Sequence, residues 1–302
     1  MNKTQKFFIV IVSIFFLLII NFNIFATEKN SKEVYDLLKK FDTSTYHPEV
    51  FGLKDLAADV RFSNFDKEIG NQLGQLKIDD LYFTIYWLAS GKVDVEISGL
   101  PKGFVMVKDT LIRSVQVYID FIIPKTFADK AKNYEIRPLK DAKEIKEGEK
   151  LEKGERLFIG TDKTHLNMVH EIKMVFDDKD RLQKLFMLTP QGTEDTYFTW
   201  EKEKWSQNKW VLSSIILKSD YGIQSKIVRN DITYNSFSGI GLPIRVSINT
   251  EVFTKNVGTT KTNTEKKNSK SSDSIFNIQR ELIISNYRIN SGEAQKYFLK
   301  KM

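Results

Sequence analysis

The chain has 302 residues, 41% of them apolar, with 46 Lys and Arg against 39 Asp and Glu, a formal net charge of +7, and no cysteine. This length supports one large domain or two modest ones around a sizeable core. The missing cysteines exclude disulfides, thiolate metal sites and a lipidated N-terminal cysteine on this chain.

The first 26 residues stand outside that core. Lys3 and Lys6 form a basic start, Phe7 to Ile20 is an apolar run broken only by Ser13, and Ile24-Phe25-Ala26 offers a cleavage site before Thr27. This pattern reads as a signal peptide, and export to the periplasm follows from it. If it were retained, Phe7 to Ala26 is about the twenty residues a bilayer span needs, and the chain would be anchored in the inner membrane. Loss of Lys3 and Lys6 takes the formal charge from +7 to +5. After export, anionic lipid headgroups are a more sensible partner for this diffuse charge than nucleic acid.

Ser31 to Phe41 reads as a short amphipathic helix, with Val34, Leu37, Leu38 and Phe41 at i, i+3, i+4 and i+7. Leu56 to Phe62 alternates as a strand. Asp80 to Pro101 follows as a hairpin whose first arm, around Phe83, Ile85 and Trp87 but also Tyr82, Tyr86 and Leu88, is apolar on both faces. A half-solvated antiparallel sheet shows strict alternation instead, so something must cover the second face. From Asp109 to Ile123 the period becomes helical: Asp109, Arg113, Gln116 and Asp120 make one narrow polar stripe on a helix otherwise apolar, ended by Pro124. Such a helix is enclosed.

Lys140 to Glu155 is a charged connection. Strands then dominate: Met168, His170, Ile172, Met174 and Phe176 share one face, Leu182, Phe186 and Leu188 return, and Phe198 with Trp200, Ile215 with Leu217, Val228 with Ile232 and Tyr234, and Ile244 with Val246 and Ile248 continue the pattern. Thr254 to Ser274 is polar and low in complexity, a mobile loop. Leu282 and Ile284 belong to a last strand, and Glu293 to Lys301 to a last short helix. With no repeat and no second composition regime, residues 27–302 read as a single domain.

Nothing asks for catalysis, a metal or a cofactor. His165 and His170, five apart near a strand, face opposite sides and cannot share a metal. Gly239-Ile240-Gly241 lacks the third glycine of a phosphate cradle and reads as a turn. Glu194-Asp195 is placed in a polar turn, where nothing shifts a carboxyl's pKa. About ten antiparallel strands tend to curl, and the apolar helix then covers the concave face, either as permanent core or as a lid over an apolar groove.

The segments FTIYWLASGKVDVEISGLPKGF, DRLQKLFMLTPQGTEDTYFTW and ISNYRINSGEAQKYF resemble the periplasmic lipoprotein carrier and sorting proteins (LolA/LolB-like), which share a hairpin with a proline-containing turn, paired strands joined by a tight turn, and a late Y-x-I-N strand. The resemblance implies a mainly β (α+β) fold, an unclosed, curled antiparallel β-barrel with a central helical lid and short terminal helices. It implies noncatalytic binding of lipid or lipoprotein acyl chains during sorting to the outer membrane. The expected lining is Tyr82, Tyr86, Trp87, Phe186, Leu188, Phe198 and Trp200, beneath lid residues Leu111, Val115, Ile119 and Ile122. Lys140 to Glu155 and Thr254 to Ser274 depart from the family pattern, and the family's lid-gating arginine has only Arg61 and Arg113 as candidates, by location. A rival reading is an envelope sensor that uses the same fold to engage a membrane-bound partner protein; another is an enzyme with a polar cluster inside the cavity.

Export is directly measurable. The intact mass of the secreted protein should correspond to loss of about 26 residues, with a new N-terminus near Thr27; a full-length, membrane-bound product would contradict the signal-peptide reading.

Overall fold

The computed structural model describes residues 32–65, 69, 78, 80–139, 151–164, 169–254 and 274–301. The N-terminal segment 1–26, Ser31, residues 140–150 of the charged connection, His165, Met168 and residues 255–273 of the polar loop lie outside the described residues.

The fold is mainly β. Helix α1 (Lys32–Ser44) buries Val34, Leu37, Leu38 and Phe41, the stripe its periodicity predicts. At its end hydroxyls add to the amide donors: the Thr43 hydroxyl donates to the Lys39 carbonyl, and the Ser44 and Thr45 hydroxyls join the Thr45 N–H in donating to that of Phe41. Strands β1 (Asp55–Phe62), β2 (Tyr82–Leu88) and β3 (Val93–Ser98) follow, then helices α2 (Val105–Gln116), α3 (Ile119–Ile122) and α4 (Phe127–Ala131). Nine further strands complete the sheet: β4 (Tyr134–Pro138), β5 (Arg156–Asp162), β6 (Glu171–Phe176), β7 (Leu182–Thr189), β8 (Gly192–Lys202), β9 (Trp210–Asp220), β10 (Gln224–Phe237), β11 (Ile240–Thr254) and β12 (Ser274–Ile289). Helix α5 (Glu293–Lys300) closes the chain.

All twelve strands form one antiparallel sheet in the order β3-β2-β1-β12-β11-β10-β9-β8-β7-β6-β5-β4. From β4 to β12 it is an uninterrupted meander; β1 then adds to the far side of β12. The ends β3 and β4 do not pair, so the sheet is open. Its edges carry the protection open edges need: Asp94 and Glu96 on β3, and Glu135, Arg137 and Pro138 on β4.

Two strands exceed the ten expected. β4 and β5 flank the charged connection, and Tyr134 and Ile136 point inward between exposed Glu135 and Arg137. Five residues of alternation are too short a signal to stand out. The turn at Gly239 sits one residue earlier than expected. Ser238 (φ 51°) and Gly239 (φ 84°) form a two-residue hairpin turn, and Ile240 already belongs to β11. Gly241 is a strand residue whose missing side chain admits the Trp205 ring; a Cβ there would lie 2.0 Å from Trp205 Cζ3.

The hairpin's two apolar faces have two different covers. Phe83, Ile85 and Trp87 face inward and pack with Leu111, Val115, Ile119 and Ile122 in one buried cluster. On the outer face Tyr86 stacks on Tyr297 of α5, ring centroids 3.8 Å apart and planes 6° from parallel. The Tyr297 hydroxyl donates to Asp94 at 2.9 Å, and Lys301 Nζ reaches the same carboxylate at 2.6 Å. The second cover is thus the C-terminal helix.

The helix expected over Asp109 to Ile123 is two. α2 starts four residues earlier and stops at Gln116, and α3 resumes at Ile119. At the break Tyr118 N–H donates to Val115 O at 2.9 Å and Phe121 N–H to Tyr118 O at 3.0 Å, i−3 partners in place of i−4. The tightening turns the Tyr118 ring edge-on to Phe62 and Phe121. Burial of that aromatic side chain overrides the regular helical register.

α5 is held at its start by a side chain from the other end of the chain. Buried Asp55 accepts from the backbone N–H groups of Gly292 and Gln295, both at 3.0 Å. Asn290 accepts from Lys54 N–H at 2.7 Å and donates to Gly52 O at 2.9 Å. Asp55→Ala removes both charge-assisted bonds and should lower unfolding free energy by about 2 kcal/mol, with Tyr297 fluorescence reporting release of α5 before the sheet unfolds. A change below roughly 0.5 kcal/mol would show that the stack alone holds the helix.

Candidate functional site

The inner face carries two packed cores. One joins β1–β3 and β9–β12 with α2 and α3. The other joins α1 and α4 with β4–β7 around Phe41, Phe158, Met174 and Phe176. Between them lies a cavity of about 280 Å³, at the small end of the range of ligand pockets.

Three groups of elements build its wall. The floor comes from the middle of the sheet: Leu185 and Met187 on β7, Thr196, Phe198 and Trp200 on β8, Leu212, Ile215 and Leu217 on β9, and Asn230 and Tyr234 on β10. One side is the end of α1 and the segment after it, from Phe41 to Pro48. Adjoining it are Phe121, Ile122 and Pro124 at the end of α3, then Phe127 and Ala131 of α4, with the Phe41 and Phe127 rings edge-on at 5.7 Å. Asp120, Lys125 and Lys130 supply charge, with Lys130 paired to Asp120 at 3.2 Å.

The polar groups of the wall are largely committed. Trp200 Nε1–H donates to Leu182 O at 2.7 Å, and Tyr134 and Tyr234 hydroxyls donate to Val169 O and Leu212 O, each at 2.9 Å. Burial pushes the Tyr134 phenol up to about 12 and raises that of Tyr234 as well. Both stay neutral donors.

The expected lining residues divide. Phe198 and Trp200 line the cavity, and Phe41 meets the Trp200 ring edge-on at 5.5 Å. Trp87 is buried beneath the helices in the first core and does not reach the cavity. Tyr82 and Tyr86 are on the outer face, Tyr82 under the Arg61 guanidinium at 4.8 Å and Tyr86 under Tyr297. Phe186 and Leu188 also point away, Leu188 being 61% exposed.

The cause on β7 is one residue. Phe176 pairs with Leu182 but Val175 with Lys184, so Gln183 is a bulge. Beyond it every side chain changes face. Leu185 and Met187 take the inward positions that strict alternation from Leu182 gives to Phe186 and Leu188.

The four expected lid residues, Leu111, Val115, Ile119 and Ile122, are all buried in the first core, and of these Ile122 alone lines the cavity. Arg61 pairs with Asp80 at 2.6 Å and Arg113 is exposed; neither lines it.

Among the buried polar lining residues that sequence reasoning missed are Asn230 and His47. Asn230 occupies the inward row of Val228, Ile232 and Tyr234, so a polar residue inside an apolar row was a legible sign. His47, between Tyr46 and Pro48 after α1, has no periodicity to betray it.

Glu194 corrects a further expectation. It is a β8 residue, only 4% exposed, paired across the sheet with Met187 and Ser219, and Ser219 in turn pairs with Lys226. Burial raises the Glu194 carboxyl's pKa against the pull of the Tyr221 hydroxyl, 3.0 Å away, and of Lys226. Burial likewise pushes the Lys226 ammonium down from 10.5 to about 8, against the attraction of Glu194. A polar row thus continues the inner face beside the cavity.

That row sets an alkaline signature. Between about pH 8 and 10.5 the unfolded chain keeps a Lys226 proton that the folded protein has released, so stability should rise with pH there. Above about pH 10 the trend should reverse. Tyr46, Tyr118, Tyr134 and Tyr221, held up to about 12 by burial, stay protonated in the fold while the unfolded chain ionises at its ordinary 10.0. Urea midpoints across this range should pass through a maximum between pH 8 and 10.5. Lys226→Met should abolish the rising limb and keep the fall; a rising limb that survives the substitution would contradict the assignment.

Comparisons of the chain with known protein families, with curated proteins and with solved structures find no match.

Proposed function

We propose that this chain is an exported, periplasmic protein with a half-barrel fold that binds a lipid or lipoprotein acyl chain in the cavity between its two cores, as a noncatalytic carrier. The observation that carries this reading is the cavity itself: an apolar space left between two otherwise close-packed cores, walled by Phe41, Phe121, Phe198 and Trp200. Protein interiors are packed without such voids unless something occupies them or stability is given up. A flexible hydrocarbon chain suits a cavity of this chemistry, and the burial of its methylenes supplies about 0.8 kcal/mol each.

The neighbouring elements support a binding role. α3 and α4 are only four and five residues long. α3 is anchored by buried Ile119, Phe121 and Ile122, so the element that shifts to admit a chain in this reading is α4, whose one fully buried side chain is Ala131. α2, packed over β1–β3, is the fixed part of the cover in this reading. Export rests on the basic start and apolar run of residues 1–26.

Filling the cavity tests the reading without unfolding the protein. Met187→Trp adds bulk into space that is already empty, so circular dichroism should be unchanged and the melting temperature equal or higher. Uptake of diphenylhexatriene, a hydrocarbon about the length of an acyl chain whose fluorescence rises out of water, should fall at least about tenfold. Undiminished uptake in the folded variant would place binding elsewhere or nowhere.

A further inference from the structure

From the size of the cavity and the placement of charge on its wall we infer that the ligand, on the acyl-chain reading above, is a single-chain amphiphile with an anionic end, and that about eleven carbons of its chain are enclosed. The volume sets the length. A protein cavity of about 150 Å³ takes up one benzene molecule, with its six carbons. At the same density the 280 Å³ found here has room for about eleven. A lipid with two or three long chains needs several times that space, so one chain enters and any excess length stays in water.

The charge of the wall is gathered on one side. Among the described residues the charged lining side chains are Asp42, Asp120, Lys125 and Lys130. The last three belong to the stretch from α3 to α4, and Asp42 reaches that stretch from α1, accepting from the Phe127 and Ala128 N–H groups at 2.6 and 3.0 Å. The same stretch is where the wall meets solvent. Lys125 is exposed, and the Asp120 and Lys130 side chains are 44% and 31% exposed. The polar end of an amphiphile therefore stays at this mouth, since a charged head deeper in the apolar space would be desolvated without a partner. The sign of that head follows from what is already engaged. Asp42 is held by two backbone donors and Asp120 by Lys130 at 3.2 Å. Lys125 has no hydrogen-bond or ion-pair partner among the described residues. Its ammonium remains to meet the ligand, and a carboxylate or a phosphate monoester meets it with opposite charge.

Isothermal titration calorimetry of the full chain with straight-chain carboxylates, from hexanoate to hexadecanoate and each below its micelle concentration, reads the length. Affinity should rise by up to about fourfold per methylene, then level off near dodecanoate, which should bind at a stoichiometry of one. Decanoate and decyl phosphate against decyltrimethylammonium read the sign, and the tighter anion separates a carboxylate from a phosphate head. Lys125→Glu, at an exposed position, should leave the melting temperature and the break in chain length in place and reverse the preference for anion over cation, a change of a few fold. Affinity still climbing from dodecanoate to hexadecanoate, more than one dodecanoate bound, a cation preferred by the unaltered chain, or an anion preference untouched by Lys125→Glu would overturn this inference and leave the acyl-chain reading standing. Binding of no member of the series, together with no uptake of diphenylhexatriene, would overturn both.

Discussion

The shape of the molecule follows from a mismatch of widths. Twelve strands at about 4.8 Å spacing make a face roughly 50 Å across, whereas a helix covers about 10 Å. Among the described residues, the helices α1 to α4 on the inner side fall into two groups: α2 and α3 over β1–β3 and the last strands, α1 and α4 over β4–β7. Each group closes a core with its own share of the sheet. The strands between, from β7 to β10, carry inward apolar side chains that neither group fully covers. The cavity is what remains when both cores have been packed.

The outer face has a similar problem with a different solution. β2 is apolar on both faces, and its outward Tyr86 finds cover only because the chain's last helix returns to it. That return joins the two ends of the described chain: Asp55 on the first strand caps α5, and β1 pairs with β12. The C-terminal helix therefore stabilises the hairpin under which α2 packs, so sheet order and helix placement depend on one another.

Much of this was legible as period two. Strands appear where Val246 and Ile248 alternate with Ser247 and Asn249, or where Ile172, Met174 and Phe176 recur at every second position, and these residues are buried as read. Side-chain direction was lost wherever a single residue interrupts the ladder. Gln183 is such a residue: nothing in its type marks a bulge, yet it exchanges Phe186 and Leu188 for Leu185 and Met187 in the cavity wall. The break at Val117 and Tyr118 is similar, since a helical pattern continues through it on paper while the buried Tyr118 ring dictates the turn. Glu194 escaped because its neighbour Asp195 and the nearby turn made the segment look solvated, whereas β8 already begins at Gly192 and its alternation sends Glu194 inward. His47 depends on tertiary packing against Pro124 from a segment 77 residues away, which no local pattern encodes.

The central claim is that the space between the cores holds an apolar chain. Native mass spectrometry of the protein purified gently from the cells that make it addresses this directly. The account predicts a species heavier than the bare chain by one lipid-sized molecule, released when the protein is denatured. A bare-chain mass alone, both as purified and after incubation with long-chain lipids, would contradict it.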